Sequence, residues 1–264
     1  ARLVELSRQT MPNLRNISAN FRDLAVDPGN RFTAPYHYGT TGLLVRTDLV
    51  NSPVTHWADL WRPELRGKIA LRLQPRELIS LALLSLGFDL NSAQPSEVQA
   101  AVDQLIALKP WILDVEVDST KAAAPLLDGR VQVLVGWPLD YQATHGVHAA
   151  VDYILPKEGL PLWSDNYVIP ANCRNRTGAE QLIDFLLRAD ISAQIVRERN
   201  YPTANEAALA LIPPELRNDP VVFPPTEALR RAHFYLPQTP GTQQLYRQAW
   251  TRFLHAAPAS EVER

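Results

Sequence analysis

Cysteine is nearly absent from this chain: Cys173 stands alone in 264 residues, so no internal disulfide staples the fold. No stretch approaches the ~20 consecutive apolar residues that a membrane-spanning helix needs. Neither sign of charge dominates, with 26 basic and 28 acidic side chains and a formal net charge of −2. That balance gives no sign of the basic face that nucleic acid or an anionic membrane would require. Catalytic signatures are missing as well: there is no GxSxG, no HExxH, no phosphate-binding P-loop and no GxGxxG. Ser164-Asp165-Asn166 and Arg176-Thr177-Gly178 match two β-lactamase-type triplets. No Ser-x-x-Lys supplies the nucleophile, and the triplets lie too close together. The histidines, His37, His56, His145, His148, His233 and His255, form no i,i+4 pair, which argues against a zinc site. The expectation is a protein without catalysis, cofactor or metal.

Two segments carry most of the information. GWPLDYQ places Trp137 three residues from Asp140, and LWSDNYVIPAN places Trp163 two residues from Asp165. An aromatic face next to a carboxylate suits an organic cation, because the ring attracts the charge and covers methylenes while the carboxylate neutralises it. Taken alone, each pair is equally what a packed tryptophan with a solvated aspartate would look like.

The rest of the pattern gives the fold class. Glycine is modest (11) and proline abundant (22), so turns are frequent and stiff. Strands are predicted at 68–73, 115–117, 131–135, 151–155 and 167–169, with shorter extended pieces in 32–45. Helices are predicted at 57–61, 77–86, 97–108 with Ser96 as its cap, 121–127, 178–187, 191–199, 206–211 and 242–256. Such alternation predicts an α/β architecture with largely parallel sheets, in which ligands bind beyond the carboxyl ends of strands. The aromatic–acid segments fall near such ends.

Several stretches in order, DPGNRFTAPYHYGTTGLLV (27–45), VTHWADLWRPELRGKIAL (54–71), LLDGRVQVLVGW (126–137), the PKEG turn (156–159), IPAN (169–172), FLLR (185–188) and YPTAN (201–205), resemble the spermidine/putrescine-binding proteins of polyamine ABC transporters. The resemblance implies a two-lobe α/β fold of the periplasmic-binding-protein type II kind, whose lobes close on a ligand in the cleft between them. It implies lobes at 1–40 with 165–211 and at 41–164 with 212–264. The family's first lobe starts upstream of Ala1, so the first lobe is expected to be incomplete at its N-terminus. The implied ligand is putrescine or spermidine, delivered to an ABC transporter permease by a periplasmic or extracellular membrane-associated protein, with no nucleic acid involved.

Carried over position by position, the resemblance has Trp137 and Trp163 sandwich the methylene chain, Asp165 and Asp140 pair with ammonium groups, and Glu77 hold an amine from the second lobe. Tyr201 lines the cleft, Ser119 and Tyr38 contribute, and Gln238 is placed across a gap in the match. Three acids, Glu77, Asp140 and Asp165, suit a diamine or a triamine. Gln74 stands where spermidine-type members have an aspartate, which removes one counter-charge. The rival readings are a binder of the same fold for another organic cation or an amino acid, and a truncated sensing or interaction domain without ligand binding of its own.

Overall fold

The computed structural model describes residues 2–116 and 123–256. In chain order it contains β1 (Ala34–Thr40), β2 (Gly42–Arg46), β3 (Ile69–Arg72), α1 (Pro75–Ser85), α2 (Pro95–Leu108), β4 (Ile112–Glu116), α3 (Ala124–Leu127), β5 (Val133–Gly136), α4 (Pro138–His145), β6 (Val151–Ile154) and β7 (Leu160–Tyr167). The chain continues through α5 (Arg176–Leu186), α6 (Ala189–Arg199), α7 (Pro214–Arg217), α8 (Thr226–Leu229), β8 (Ala232–Phe234) and α9 (Pro240–His255). The segments Trp57–Trp61 and Glu206–Leu211 are 3-10 helices.

The chain divides into two units, residues 1–39 with 163–225 and residues 40–162 with 226–264. Residues 212–225 were expected with the second lobe, yet they belong to the first unit. Ile212 is buried there with Ala193, Val196 and Ala208, and Leu216 and Phe223 pack on that cluster. Four apolar residues from three segments bury one another, and that fixes the boundary after Pro225.

In the first unit, α5 starts at Asn175, whose side-chain oxygen accepts from the Gly178 N–H at 2.9 Å. This meets one of the unpaired donors at a helix start. Helix α6 ends at Asn200, which adopts the left-handed conformation (φ 53°) and returns its N–H to the Val196 carbonyl. The next loop is locked by Asn205. Its fully buried side chain donates to the Leu187 carbonyl (2.8 Å) and the Ser192 hydroxyl (2.9 Å), and accepts from the Ala208 N–H. The same loop is stitched to β1: Tyr38 N–H donates to the Pro202 carbonyl, and Ala204 N–H to the Tyr36 carbonyl. The stretch 200–205 is thus held by hydrogen bonds on two sides, and Tyr201 is positioned with it.

The second unit holds a five-stranded sheet in the order β4-β3-β5-β2-β6. It is mixed rather than largely parallel. Strand β3 pairs parallel with β4 and β5, whereas β2 pairs antiparallel with β5 and β6. Helix α1 is buried from Glu77 to Leu84, as its near-continuous apolar run predicts, and packs with α2 and α9 around Leu43, Val45, Trp57 and Leu71. Each fully buried leucine of this kind contributes about 1.5–3 kcal/mol. Trp57 is fully buried, and its indole N–H donates to the Gly159 carbonyl at 2.8 Å.

Two local expectations are corrected. Helix α2 begins at Pro95 with Gln94 in the capping position, so Ser96 lies inside the first turn and does not cap. Proline is favoured at that first helical position because its missing N–H would have no partner there. Strand β7 runs from Leu160 to Tyr167, earlier than the predicted 167–169, so Trp163 and Asp165 lie within a strand and not in the loop before one.

Candidate functional site

The first unit gathers Trp163, Asp165, Tyr201 and His37. Trp163 and Asp165 are two apart on β7 and therefore share a face. His37 comes from β1. Its Nε2 lies 2.9 Å from an Asp165 carboxylate oxygen whose side chain is 59% exposed. The imidazole is gripped by aromatic rings. Tyr201 stacks on it (5.2 Å, 12°), Tyr36 meets it edge-on (4.0 Å, 86°), and Trp163 meets it edge-on at 6.0 Å. Trp163 and Tyr201 also form an edge contact at 5.6 Å, and Tyr36 stacks on Tyr167 at 4.2 Å. Burial, followed by the charge of Asp165, pushes the Tyr36 phenol upward, and burial takes the Tyr167 phenol to about 12. Both rings are uncharged at neutral pH.

Gly39 makes room for this arrangement. A Cβ there would lie 2.3 Å from the Trp163 ring, so only glycine permits the indole to lie against β1. Tyr38 is in a different position. It is buried against Phe21, ring centroids 4.6 Å apart, and burial raises its phenol to about 12. The structure places it in the packing of the first unit and records no contact between it and the Trp163 set.

The second unit gathers Glu77, Trp137, Asp140, Arg72 and Thr41. Glu77, in the first turn of α1, is buried. One of its carboxylate oxygens accepts from the Thr41 hydroxyl and from the Trp137 indole N–H, the latter at 3.3 Å. Burial dominates and holds its pKa above the ordinary carboxylate value. The Thr41 and Trp137 hydrogen bonds and the charge of Arg72 act the other way.

Asp140 is 2% exposed and Arg72 4%. The guanidinium grips the carboxylate through two nitrogens, Nε at 3.2 Å from Oδ2 and Nη2 on Oδ1. Asp140 also accepts from the Trp137 backbone N–H at 2.8 Å, which meets one unpaired donor at the start of α4. Gly136 leaves space for that carboxylate, since a Cβ would come within 2.7 Å of its Oδ2. The Arg72 guanidinium lies over the Trp137 ring at 4.2 Å, so one face of that indole is already covered by a cation.

Among the predicted residues, the structure therefore brings together Trp163, Asp165 and Tyr201 in one unit and Glu77, Trp137 and Asp140 in the other. Gln238 lies in the loop before α9, where its backbone carbonyl accepts from the Gln243 side chain, and no contact with Glu77 or Trp137 is recorded. Ser119 lies outside the described residues. Sequence reasoning missed Arg72, His37, Thr41 and the two close-approach glycines, Gly39 and Gly136. A signal for His37 was present in the alternation of Tyr36-His37-Tyr38, which turns the histidine away from Tyr38 in any strand. No comparable signal marks Arg72, because its partner is 68 positions further along the chain. Among the described residues no cluster of three histidine, cysteine or acidic side chains could hold a metal ion, and no helix is long and apolar enough to cross a membrane.

Two α/β units between which the chain passes more than once, each carrying tryptophan beside carboxylate, define a two-lobe solute-binding fold of the periplasmic type II class. Comparison with known proteins gives the family. The family model for bacterial extracellular solute-binding proteins matches residues 2–224. The chain is 34% identical over 231 residues to the spermidine/putrescine-binding periplasmic protein of Escherichia coli, covering 87% of this chain and 66% of that protein. It is 33% identical over 242 residues to the putrescine/agmatine-binding protein of Pseudomonas aeruginosa, covering 84% of this chain and 65% of that one. Among solved structures, a spermidine/putrescine ABC transporter substrate-binding protein from Streptococcus pneumoniae matches with a TM-score of 0.84 at 29% identity, over 96% of this chain and 77% of that chain. The chain belongs to the bacterial extracellular solute-binding protein family. It spans about two thirds of the length of the curated relatives it matches.

Proposed function

We propose that this protein binds a polyamine outside the cytoplasm and delivers it to the permease of an ABC transporter, without chemical change. One observation carries the reading: Asp165 presents a largely exposed carboxylate on the strand face it shares with Trp163, within a wall of aromatic rings. That is the chemistry an alkylammonium needs. The relatives named for spermidine, putrescine and agmatine support it.

The charge count in the second unit refines the ligand. Asp140 is already neutralised by Arg72, which leaves Glu77 as the carboxylate there not held by an arginine. Among the described residues the gathered set in each unit then offers one such carboxylate, Asp165 in the first and Glu77 in the second, a charge count that suits a diamine of the putrescine type. Trp163 and Tyr201 would take the methylenes. Each charge-assisted hydrogen bond to an ammonium contributes about 1.5–3 kcal/mol, and each desolvated cation–π contact up to ~2 kcal/mol. Two of each sum to at most about 10 kcal/mol before the cost of association is subtracted.

Calorimetric titration of the chain with putrescine, agmatine, spermidine and spermine tests this directly. One-to-one binding with the diamine ahead of the tetramine is expected. Absence of heat with all four, in a sample shown to be folded, would sink the reading.

A further inference from the structure

Beyond the expected contacts, we propose that His37 sets the pH range over which this site accepts a cation: protonated, its imidazole occupies the Asp165 carboxylate, and a ligand ammonium must displace that charge to bind. The inference rests on the polyamine reading above and concerns the same carboxylate.

The geometry leaves the ring little choice. Nε2 lies 2.9 Å from Asp165 Oδ2, a hydrogen-bonding distance. Tyr201 covers one face of the imidazole at 5.2 Å, and Tyr36 and Trp163 abut it edge-on. The backbone of His37 is fixed too. It bridges Thr203 in an isolated antiparallel pair, and its carbonyl accepts from the Ser164 hydroxyl at 3.3 Å. A ring held this way cannot swing clear when a ligand arrives, so the ligand competes with its charge and not merely with its position.

The surroundings isolate the effect. On its own strand His37 is flanked by Tyr36 and Tyr38, and β7 brings Trp163, Asp165 and Tyr167 to this region. The loop after α6 brings Tyr201, and Ser192, Ile195 and Val196 of α6 line the small cavity beside the ring. Asp165 is the carboxylate recorded against the imidazole among the described residues. Tyr36, Tyr38 and Tyr167 are pushed upward by burial and stay neutral through the relevant range. Histidine is the side chain that ordinarily changes charge between pH 5 and 8.

Linkage gives the sign. Below the histidine's titration, each ammonium bound at Asp165 expels one proton, so affinity rises with pH by up to about tenfold per unit and levels off once His37 is neutral. Glu77 in the second unit also gains charge as pH rises, so the wild-type slope alone does not isolate His37. The comparison with His37→Gln does.

The test is putrescine calorimetry at pH 5.5, 6.5, 7.5 and 8.5 on wild type and His37→Gln, with the His37 ring proton followed by NMR in the wild-type protein. The wild type is expected to gain about tenfold more affinity than His37→Gln between pH 5.5 and 7.5. Saturation with putrescine is expected to move the ring's titration to lower pH. Matching pH profiles in the two proteins, or a ring midpoint that ligand does not move, overturns the inference while leaving polyamine binding intact. Should putrescine and spermidine both fail to bind wild type at pH 8.5, the functional reading falls and this inference falls with it. The NMR measurement decides the matter even if His37→Gln does not fold.

Discussion

The two units treat their carboxylates in opposite ways. In the first, Asp165 is open to water and held by one titratable ring inside a cage of aromatics. In the second, Asp140 is sealed by a buried guanidinium, and Glu77 is buried with neutral donors from Thr41 and Trp137. An exposed carboxylate costs little to keep charged and is ready to meet a cation. A buried one must be matched by charge or hydrogen bonds, or else bind a proton. The same residue type thus serves recognition at Asp165 and architecture at Asp140, and burial, not identity, decides which.

The largest effect should come from breaking the architectural pair. Arg72→Ala leaves Asp140 buried without its partner and is expected to cost about 3–5 kcal/mol of stability in urea denaturation. A loss under 1 kcal/mol would mean that Asp140 finds water or another donor, and the contrast between the units would collapse. Asp165→Asn should do the reverse, leaving the thermal midpoint within a degree or two while weakening putrescine ten- to a hundredfold, since it removes one charge-assisted bond worth about 1.5–3 kcal/mol. Unaltered calorimetry would take Asp165 out of the site. Trp137→Ala is expected to lower affinity about tenfold, through one indole face and the donor to Glu77. Affinity equal to that of the parent would show that Arg72 leaves no usable face on this ring.

The smallest effect sharpens the comparison through pH. Burial raises the pKa of Glu77 in the folded state, so the folded protein holds that proton more tightly than the unfolded chain does. Stability linked to this group is therefore present below the unfolded carboxylate value and falls as pH rises through the raised folded value. Glu77→Gln should remove that decline, raising the melting temperature at pH 8 relative to wild type while the two converge near pH 4. Binding should weaken in the same variant. A wild-type melting curve that is flat between pH 4 and 8, with Glu77→Gln unchanged from it, would contradict a strained buried carboxylate.

Much of this was legible in advance, for reasons that can be named. Local pattern marks α1, because its apolar run leaves no polar face to solvate, and α9, whose Thr239 hydroxyl accepts from the Thr242 N–H at the helix start. The tryptophan–aspartate spacing marked Trp163 with Asp165 by residue type alone, and only β7, which was expected to start later, puts the two on one face. The spacing at Trp137 and Asp140 was read as recognition, and the structure shows the Asp140 carboxylate also accepting the Trp137 backbone N–H at the start of α4. The mixed sheet was not legible. Strand direction depends on which strands become neighbours, and β2 pairs with β5 and β6, far along the chain, which no local pattern announces.

Sequence by itself determined the α/β class, the absence of a disulfide framework, the run of helices and strands, and the residue types able to hold a cation. Tertiary structure decided which carboxylates are free to do so. Arg72 reaches Asp140 across 68 positions, and His37 reaches Asp165 across more than a hundred. No local pattern encodes such contacts. They follow from strand order and register, which set the distance, the dielectric surroundings and hence the charge that each group keeps.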